Sequence, residues 1–140
     1  MPRTGRPRSF DDAAVLDAAR DLFWRRLYAT TSLRDLKEEL GVLPGSLYAA
    51  FGDKHALFLR ALSRYAEGAR AATASLEGEG PIVPRIRAFV SQSLLAARVA
   101  PGRGCMLGNT AVELLPDDDE ARRVVRDAFD ALEGALARAL

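Results

Sequence analysis

Three side chains that could bind phosphate lie close together in the segment GVLPGSLYAAFGDK, residues 41–54. The hydroxyls of Ser46 and Tyr48 can donate hydrogen bonds to phosphate oxygens, and the ammonium group of Lys54 can neutralise a phosphate charge. Contacts of this kind hold a protein on a nucleic-acid backbone without reading its bases. For this to happen, the three side chains must lie on an element that can approach a sugar-phosphate strand.

A short helix is the element that this segment predicts. Pro44 suits the first turn of a helix, where its missing N–H would be unpaired in any case, and we expect the helix to run from about Pro44 to Ala50. Gly45 leaves room at its N-terminus for a sugar-phosphate strand, and the N–H dipoles there favour phosphate oxygens. Leu47 and Phe51 lie on the opposite face and are expected to pack the helix onto a core.

Helices are also predicted for the rest of the chain. Apolar residues recur at spacings of three and four, and no strand-like alternation is sustained, which predicts an all-α fold. The clearest break is SLEGEGPIVP, residues 75–84. The other helices are expected over about residues 11–26, 33–40, from 54 onward as a long fourth helix, 84–99, 105–115 and from about 117 to the end of the chain.

Two of these helices form a recognisable pair. Residues 33–40 and the short helix after them are joined by a turn of three to four residues that contains glycine, which predicts a helix-turn-helix motif over about residues 32–51. Thr31 or Ser32 can cap the first helix of the motif, and its leucines, Leu33 among them, are expected to face inward. The second helix of such a motif lies in the major groove of DNA, so the short helix is predicted to be a recognition helix.

The positive charge is concentrated in the first half of the chain. Residues 1–65 carry 11 Lys and Arg against 8 Asp and Glu, a net charge of +3, and residues 66–140 carry 9 against 11, a net charge of −2. A basic arm over residues 1–9 contains three arginines and no acid: Arg3, Arg6 and Arg8. Arms of this kind reach phosphates or the minor groove, and we expect this one to contact DNA.

The composition argues against an enzyme. One histidine, His55, and one cysteine, Cys105, leave no nucleophile–base pair and no metal-ligand cluster visible, so we expect no catalysis, no metal and no other cofactor. His55 is expected on the surface near phosphate. One cysteine cannot form an internal disulfide, and no apolar run reaches the roughly 18 residues that span a bilayer. We therefore expect a cytoplasmic protein that does not contact a membrane.

A family resemblance covers about residues 6–65. The segment TTSLRDLKEELGVLPGSLYAAFGDKHALFLRAL, with GRPRSFDDAAVLDAARDLFWRRLY before it, resembles the DNA-binding domain of the TetR/AcrR family of bacterial transcriptional regulators. The resemblance implies a homodimer that binds palindromic, double-stranded operator DNA as a repressor and releases it when a small-molecule effector enters the C-terminal part. It also implies that Thr31 caps the motif and contacts a phosphate, and that Lys54 contacts another. The DNA-reading edge that it implies consists of Leu43, Pro44, Gly45, Ser46 and Tyr48.

The sequence departs from the family pattern at four places. Leu27 stands after the first helix where glycine is usual, although leucine tolerates positive φ poorly. Lys37 replaces a small residue where the two helices of the motif cross, so it must extend outward or widen the crossing. Leu43 replaces the polar cap of the recognition helix. Family members continue with two further helices after the seventh, so the resemblance implies a C-terminally truncated regulator.

Three parts are therefore expected in the chain. They are the basic arm of residues 1–9, a helix-turn-helix DNA-binding domain over residues 10–65, and a partial effector-binding and dimerisation domain over residues 66–140, with the long fourth helix joining the last two. An alternative of a different class is a helical interaction module, or a regulator fragment, that keeps the fold but does not bind an operator alone.

The C-terminal part offers three candidate effector residues. Cys105 begins a helix near Arg103, and both the helix N-terminus and the cation can lower the pKa of a thiol. Cys105 is thus either an effector-sensing thiolate or a small buried filler. Asn109 and Glu113 lie four residues apart on an apolar helix. They either point into an effector pocket or pair with each other or with solvent.

Overall fold

The computed structural model describes residues 10–140, which form a bundle of α-helices without a β-strand in that range. The prediction of an all-α fold is confirmed. None of the helices in the described range is both long enough and apolar enough to cross a membrane. These helices are α1 (Asp12–Arg26), α2 (Leu33–Leu40), α3 (Pro44–Phe51), α4 (Lys54–Ala72), α5 (Ile82–Val99), α6 (Met106–Leu114) and α7 (Asp119–Ala139), and a 3₁₀ turn, Thr73–Leu76, follows α4.

Aspartate caps determine where three of the helices begin. The carboxylates of Asp11, Asp53 and Asp118 each accept a hydrogen bond of 2.7–2.9 Å from a backbone N–H in the first turn of α1, α4 and α7. Each bond satisfies one of the N–H groups that a helix leaves unpaired at its start. The predicted start of the fourth helix at residue 54 is confirmed, and the Asp53 cap places it directly after α3.

α5 begins at Ile82, two residues before the predicted start at Pro84. Pro84 is the third residue of the helix, and the N–H groups of the first turn have no partner within the helix. The missing N–H of proline therefore costs no hydrogen bond there, and the helix extends past it towards its N-terminus.

Ser32, and not Thr31, caps α2. The Ser32 hydroxyl accepts from the Asp35 N–H at 3.1 Å, and the Asp35 carboxylate accepts from the Ser32 N–H at 2.8 Å, which completes a capping box. Hydrogen bonds from the backbone and the hydroxyl of Ser32 lower the pKa of Asp35. Thr31 is completely buried, and its hydroxyl donates to the Leu27 carbonyl. Of the two caps that the sequence allowed, Ser32 is therefore confirmed. The cap at Thr31 that the family resemblance implies is wrong, because the Thr31 side chain lies in the core.

One apolar core runs through most of the molecule. α1 packs along α4, and α2 and α3 close the end of this pair. The core continues without a break from the motif into α6 and α7, so α4 is shared by both halves. Its buried side chains include Ala19, Leu22, Phe23, Leu36, Leu47, Phe51, Leu57, Phe58, Leu62, Met106, Leu107 and Val125.

The outer surface of the bundle leaves several apolar side chains uncovered. Leu94, Leu95 and Val99 on α5 are 61%, 63% and 80% exposed. Leu33 is 46% exposed, so the prediction that it faces inward is wrong. Leu36 is buried, as predicted for the leucines of this helix. Leu33 is the first residue of α2, and the Cα–Cβ bonds of a helix tilt towards its N-terminus. Its side chain consequently extends beyond the helix end.

Leu27 connects α1 to the turn before α2 in a conformation that leucine rarely adopts. Its φ is 68° and its ψ is 168°, a region that is almost restricted to glycine and costs other residues about 1–3 kcal/mol. The Leu27 N–H donates to the Phe23 carbonyl at 2.8 Å. Burial of the neighbouring core therefore maintains a strained backbone at this point.

We predict that Leu27→Gly stabilises the protein. Relief of about 1–3 kcal/mol of strain exceeds the extra backbone entropy of glycine, about 0.5–1 kcal/mol, so the free energy of unfolding should rise by about 1 kcal/mol in urea titrations. Ala29→Gly in the same turn has no positive φ to relieve and serves as the control, which should be destabilised. A Leu27→Gly variant less stable than wild type would show that Leu27 is not strained.

Candidate nucleic-acid interface

α3 has one buried face and one open face. Leu47 and Phe51 are 1% and 5% exposed and anchor the helix in the core, as predicted. Gly45, Ser46 and Ala49 are exposed on the opposite side. No charged residue occurs within α3, so its open face is uncharged and lined by small groups. The helix can therefore lie against another surface without first breaking ion pairs.

The N-terminus of α3 has no side-chain cap. Leu43 occupies the capping position with φ −63° and ψ 139°, and it makes no capping hydrogen bond. Its side chain is 64% exposed. Pro44 follows as the first residue of the helix, as predicted. The free N–H groups of this first turn consequently point out of the molecule beside Leu43, where an anion can accept from them.

Tyr48 is half-buried beside this open face. Burial and then the charge of Asp53 raise the pKa of the Tyr48 phenol. The phenol therefore stays protonated at neutral pH and can donate a hydrogen bond to a phosphate oxygen.

Lys54 is the first residue of α4 and lies over an aromatic ring. Its ammonium nitrogen is 4.4 Å from the centroid of the Tyr28 ring, a distance at which a cation is attracted to the ring face. Burial raises the pKa of the Tyr28 phenol, so the ring is neutral. This contact restricts where the flexible lysine side chain can place its charge.

The basic arm precedes the described residues. Arg3, Arg6 and Arg8 lie outside them, and the first described residue is Phe10. The Phe10 ring stacks on Phe51 with 6.4 Å between ring centroids. The point from which the arm departs is thus fixed next to α3.

Lys37 extends outward from α2. Its side chain is exposed, so this departure from the family pattern is accommodated without burying the charge. α2 also carries the Arg34–Glu38 ion pair on its surface, at 2.8 Å. The exposed surface of α2 therefore carries positive charge from Lys37, while Arg34 is already paired.

A cavity of about 570 Å³ lies between α1, α4, α5, α6 and α7. Cys105 lies at its wall and is exposed, so the alternative that it is a small buried filler is wrong. Burial and then the neighbouring Cys105 raise the pKa of Tyr65 to about 12. The aromatic lining of the cavity consists of Trp24, Tyr65, Phe89 and Phe129. These side chains could not be assigned to one site from the sequence, because they come from four helices.

Asn109 and Glu113 do not line this cavity. Glu113 lines a separate pocket together with His55 and Asp118. The Asn109 amide donates to the Arg103 carbonyl at 2.8 Å. The Glu113 carboxylate accepts from the backbone N–H groups of Tyr28, at 3.0 Å, and Ala29, at 2.7 Å. Asn109 therefore closes the loop before α6, and Glu113 is bound to the turn between α1 and α2.

His55 also differs from its expected position. Its Nε2 lies 2.7 Å from Asp118 Oδ2 and its Nδ1 lies 3.6 Å from Glu120 Oε2. The ring faces the start of α7 and not a phosphate site, because α7 begins beside α4. Within residues 10–140, no three His, Cys, Asp or Glu side chains are grouped so that they could hold a metal ion.

The fold and the open face of α3 define a helix-turn-helix regulator. A family model described as "Bacterial regulatory proteins, tetR family" matches residues 15–61. The uncharacterized HTH-type transcriptional regulator YezE of Bacillus subtilis (strain 168) is 36% identical over 138 residues, which cover 97% of this chain and 71% of YezE. The chain belongs to the TetR family of bacterial regulatory proteins.

Two further similarities agree with this assignment. The HTH-type transcriptional repressor ComR of Escherichia coli (strain K12) is 33% identical over 140 residues, which cover 97% of this chain and 66% of ComR. A TetR-family regulator from Agrobacterium tumefaciens, known from its crystal structure, has a TM-score of 0.74 at 24% identity, over 90% of this chain and 71% of that chain. The latter similarity shows the fold.

We predict that Leu43→Asn stabilises the recognition helix. The backbone of Leu43 already has the extended conformation of a capping residue, and an asparagine oxygen there can accept from a free N–H. The free energy of unfolding should rise by about 0.5–2 kcal/mol, measured by urea titration. Leu43→Ala removes the same exposed side chain without adding a cap and should change stability by less than about 0.5 kcal/mol. Equal stabilities of the two variants would contradict the capping argument.

Proposed function

We propose that this protein is a sequence-specific DNA-binding repressor that acts as a homodimer and responds to a small-molecule effector. The observation that carries the proposal is the uncharged open face of α3, anchored from behind by Leu47 and Phe51. A recognition helix needs this combination, because its exposed N-terminal residues must reach base edges while its other face stays fixed.

Each residue of the interface has a proposed role. Leu43, Pro44 and Gly45 lie at the end of α3 that enters the major groove, with Ser46 directed at base edges or the adjacent backbone. Tyr48 donates its phenol hydrogen to a phosphate oxygen. Lys54 neutralises a second phosphate, and the arginines of the arm bind the backbone or the minor groove.

Thr31 is left out of this set of contacts. It is implied as a phosphate contact by the family resemblance, but it is completely buried and its hydroxyl is bound to Leu27. Ser32 is exposed and lies at the N-terminus of α2. We propose that this helix end, through Ser32, approaches the phosphate instead.

The effector site that we propose is the cavity beside Trp24 and Tyr65. Arg20, Arg64 and Arg70 also line it, and the first two bind Asp17, with Arg20 Nη1 and Arg64 Nη2 each 3.2 Å from a carboxylate oxygen. Arg20 also binds Asp21 at 3.2 Å, so two carboxylates face the charges of Arg20 and Arg64. Aromatic and aliphatic groups make up most of the remaining wall. An uncharged, largely apolar effector fits this wall better than an anion does.

A homodimer with two recognition helices would bind a two-fold symmetric site. The symmetry of such operators follows the symmetry of the protein, and linking two half-sites raises the affinity above that of one half-site. The relative ComR is described as an HTH-type transcriptional repressor, and we extend repression to this chain as part of the proposal. Its place of action is the cytoplasm, where bacterial DNA lies, and it has no catalytic role.

Selection from a random duplex library tests this function. Wild-type protein should enrich one two-fold symmetric sequence, and Ser46→Ala should alter the base preference in each half. Ser91→Ala, on the exposed surface of α5, is the matched control and should enrich the wild-type sequence. If no sequence is enriched, the protein is instead the interaction module that the sequence left open.

We predict that Lys54→Ala weakens binding to the selected duplex and to unrelated duplexes to a similar extent. Loss of one phosphate contact should reduce the slope of log K against log salt concentration by about one unit, as measured by fluorescence anisotropy at several salt concentrations. Tyr48→Phe should weaken binding with a smaller change of slope, because it removes a neutral donor. Arg126→Ala on the exposed side of α7 is the control. An unchanged affinity and slope in Lys54→Ala would contradict the assigned role.

A further inference from the structure

The turn between α1 and α2 is held by a residue from the other half of the chain. The two oxygens of Glu113, on α6, accept one hydrogen bond each from the N–H groups of Tyr28 and Ala29. These N–H groups follow the end of α1 and precede α2, so neither helix supplies an acceptor for them. A carboxylate that accepts two backbone bonds defines the position of the turn as well as satisfying its donors.

Tyr28, whose backbone N–H is bound to Glu113, also provides the ring over which the Lys54 ammonium group lies. The ammonium nitrogen of Lys54 is 4.4 Å from the centroid of the Tyr28 ring, and this ring makes an edge contact with His55 at 6.0 Å between centroids. Because the backbone N–H of Tyr28 is bound to Glu113, the position of this ring depends on α6. The position of the lysine charge depends in turn on the ring.

A second contact between the halves lies next to the first. Asp118 both caps α7 and binds His55, the residue after Lys54, with 2.7 Å between Oδ2 and Nε2. The start of α4 is thus held against the start of α7. His55, which makes this contact, also touches the edge of the Tyr28 ring. The Tyr28 ring also packs against Phe23 of α1 and Phe58 of α4, with 6.2 and 4.8 Å between ring centroids.

We propose that Glu113 is a positioning residue for DNA binding. By fixing the backbone at Tyr28 and Ala29, it sets the position of the Tyr28 ring and so places the Lys54 charge at the phosphate. Glu113 itself does not touch DNA in this arrangement. The proposal rests on the proposed function, since it requires that Lys54 contacts a phosphate, and it extends that function to a residue of the effector half.

A double-mutant cycle separates positioning from general stability. Binding of the duplex selected by wild-type protein is measured for wild type, Glu113→Ala, Lys54→Ala and the double variant. We expect Glu113→Ala to weaken binding about tenfold and to reduce the salt slope, as loss of one well-placed phosphate contact would do. In the Lys54→Ala background, we expect Glu113→Ala to weaken binding less than twofold. Equal weakening in both backgrounds would overturn the proposal.

Two further measurements test whether misfolding causes the weaker binding. Glu113→Gln keeps the shape of the side chain and one acceptor oxygen, so it should fold like wild type and weaken binding to an intermediate extent. Amide hydrogen exchange at Tyr28 and Ala29 should accelerate in Glu113→Ala while exchange in the middle of α4 stays unchanged. Unchanged exchange at both amides would show that the carboxylate does not hold the turn.

Glu133→Ala, at an exposed carboxylate of α7, is the matched control and should leave affinity, slope and exchange unaltered. The wild-type measurement separates failure of the proposed function from failure of the positioning role. If wild-type protein binds no duplex, the proposed function and the positioning role both fail. If wild type binds with the expected slope but the cycle is additive, only the positioning role of Glu113 fails.

Discussion

The burial of Leu47 and Phe51 is the interaction on which the interface depends. α3 has eight residues and no side-chain cap, and isolated helices of fewer than about 12–15 residues are marginal in water. The helix therefore exists because these two side chains are enclosed by the core formed with α1 and α4. The same enclosure orients the opposite face outward, so stability and presentation of the recognition surface have one cause.

This dependence links the recognition helix to the whole bundle. The core that encloses Leu47 and Phe51 continues through α4 to Met106 and Leu107 on α6. α6 also carries Glu113, which binds the turn before α2. Leu107 lies at the wall of the cavity beside Trp24 and Tyr65 as well as in this core. The motif and the cavity are therefore parts of one packed structure joined by α4 and α6.

The parts of the fold that were correctly predicted have local causes. The spacing of Leu47 and Phe51 and the proline that begins α3 act within one or two helical turns, so they can be read from the sequence. The choice between Thr31 and Ser32 as the cap could not be made locally, because both hydroxyls can accept. Burial of the threonine in the tertiary structure decides it.

The positions that were wrong involve contacts between distant segments. Glu113 binds residues 84 and 85 positions away, and His55 binds an aspartate 63 positions away. No periodicity or spacing relates such residues. From the sequence, Glu113 was expected either to point into an effector pocket or to pair with Asn109 or with solvent. The positive φ of Leu27 also depends on the tertiary structure, since a strained backbone persists only where the surrounding packing enforces it.

Localised DNA cleavage from α3 tests the central claim most directly. An iron chelate is attached to the thiol of Ser46→Cys in a Cys105→Ser background, which leaves one thiol in the chain. The labelled protein is then bound to the selected duplex. If the open face of α3 enters the groove, cuts should concentrate within each half of the site, and the same chelate at Ser91→Cys should produce none there. Cleavage absent from the Ser46 position, or equally strong from both positions, would contradict the account.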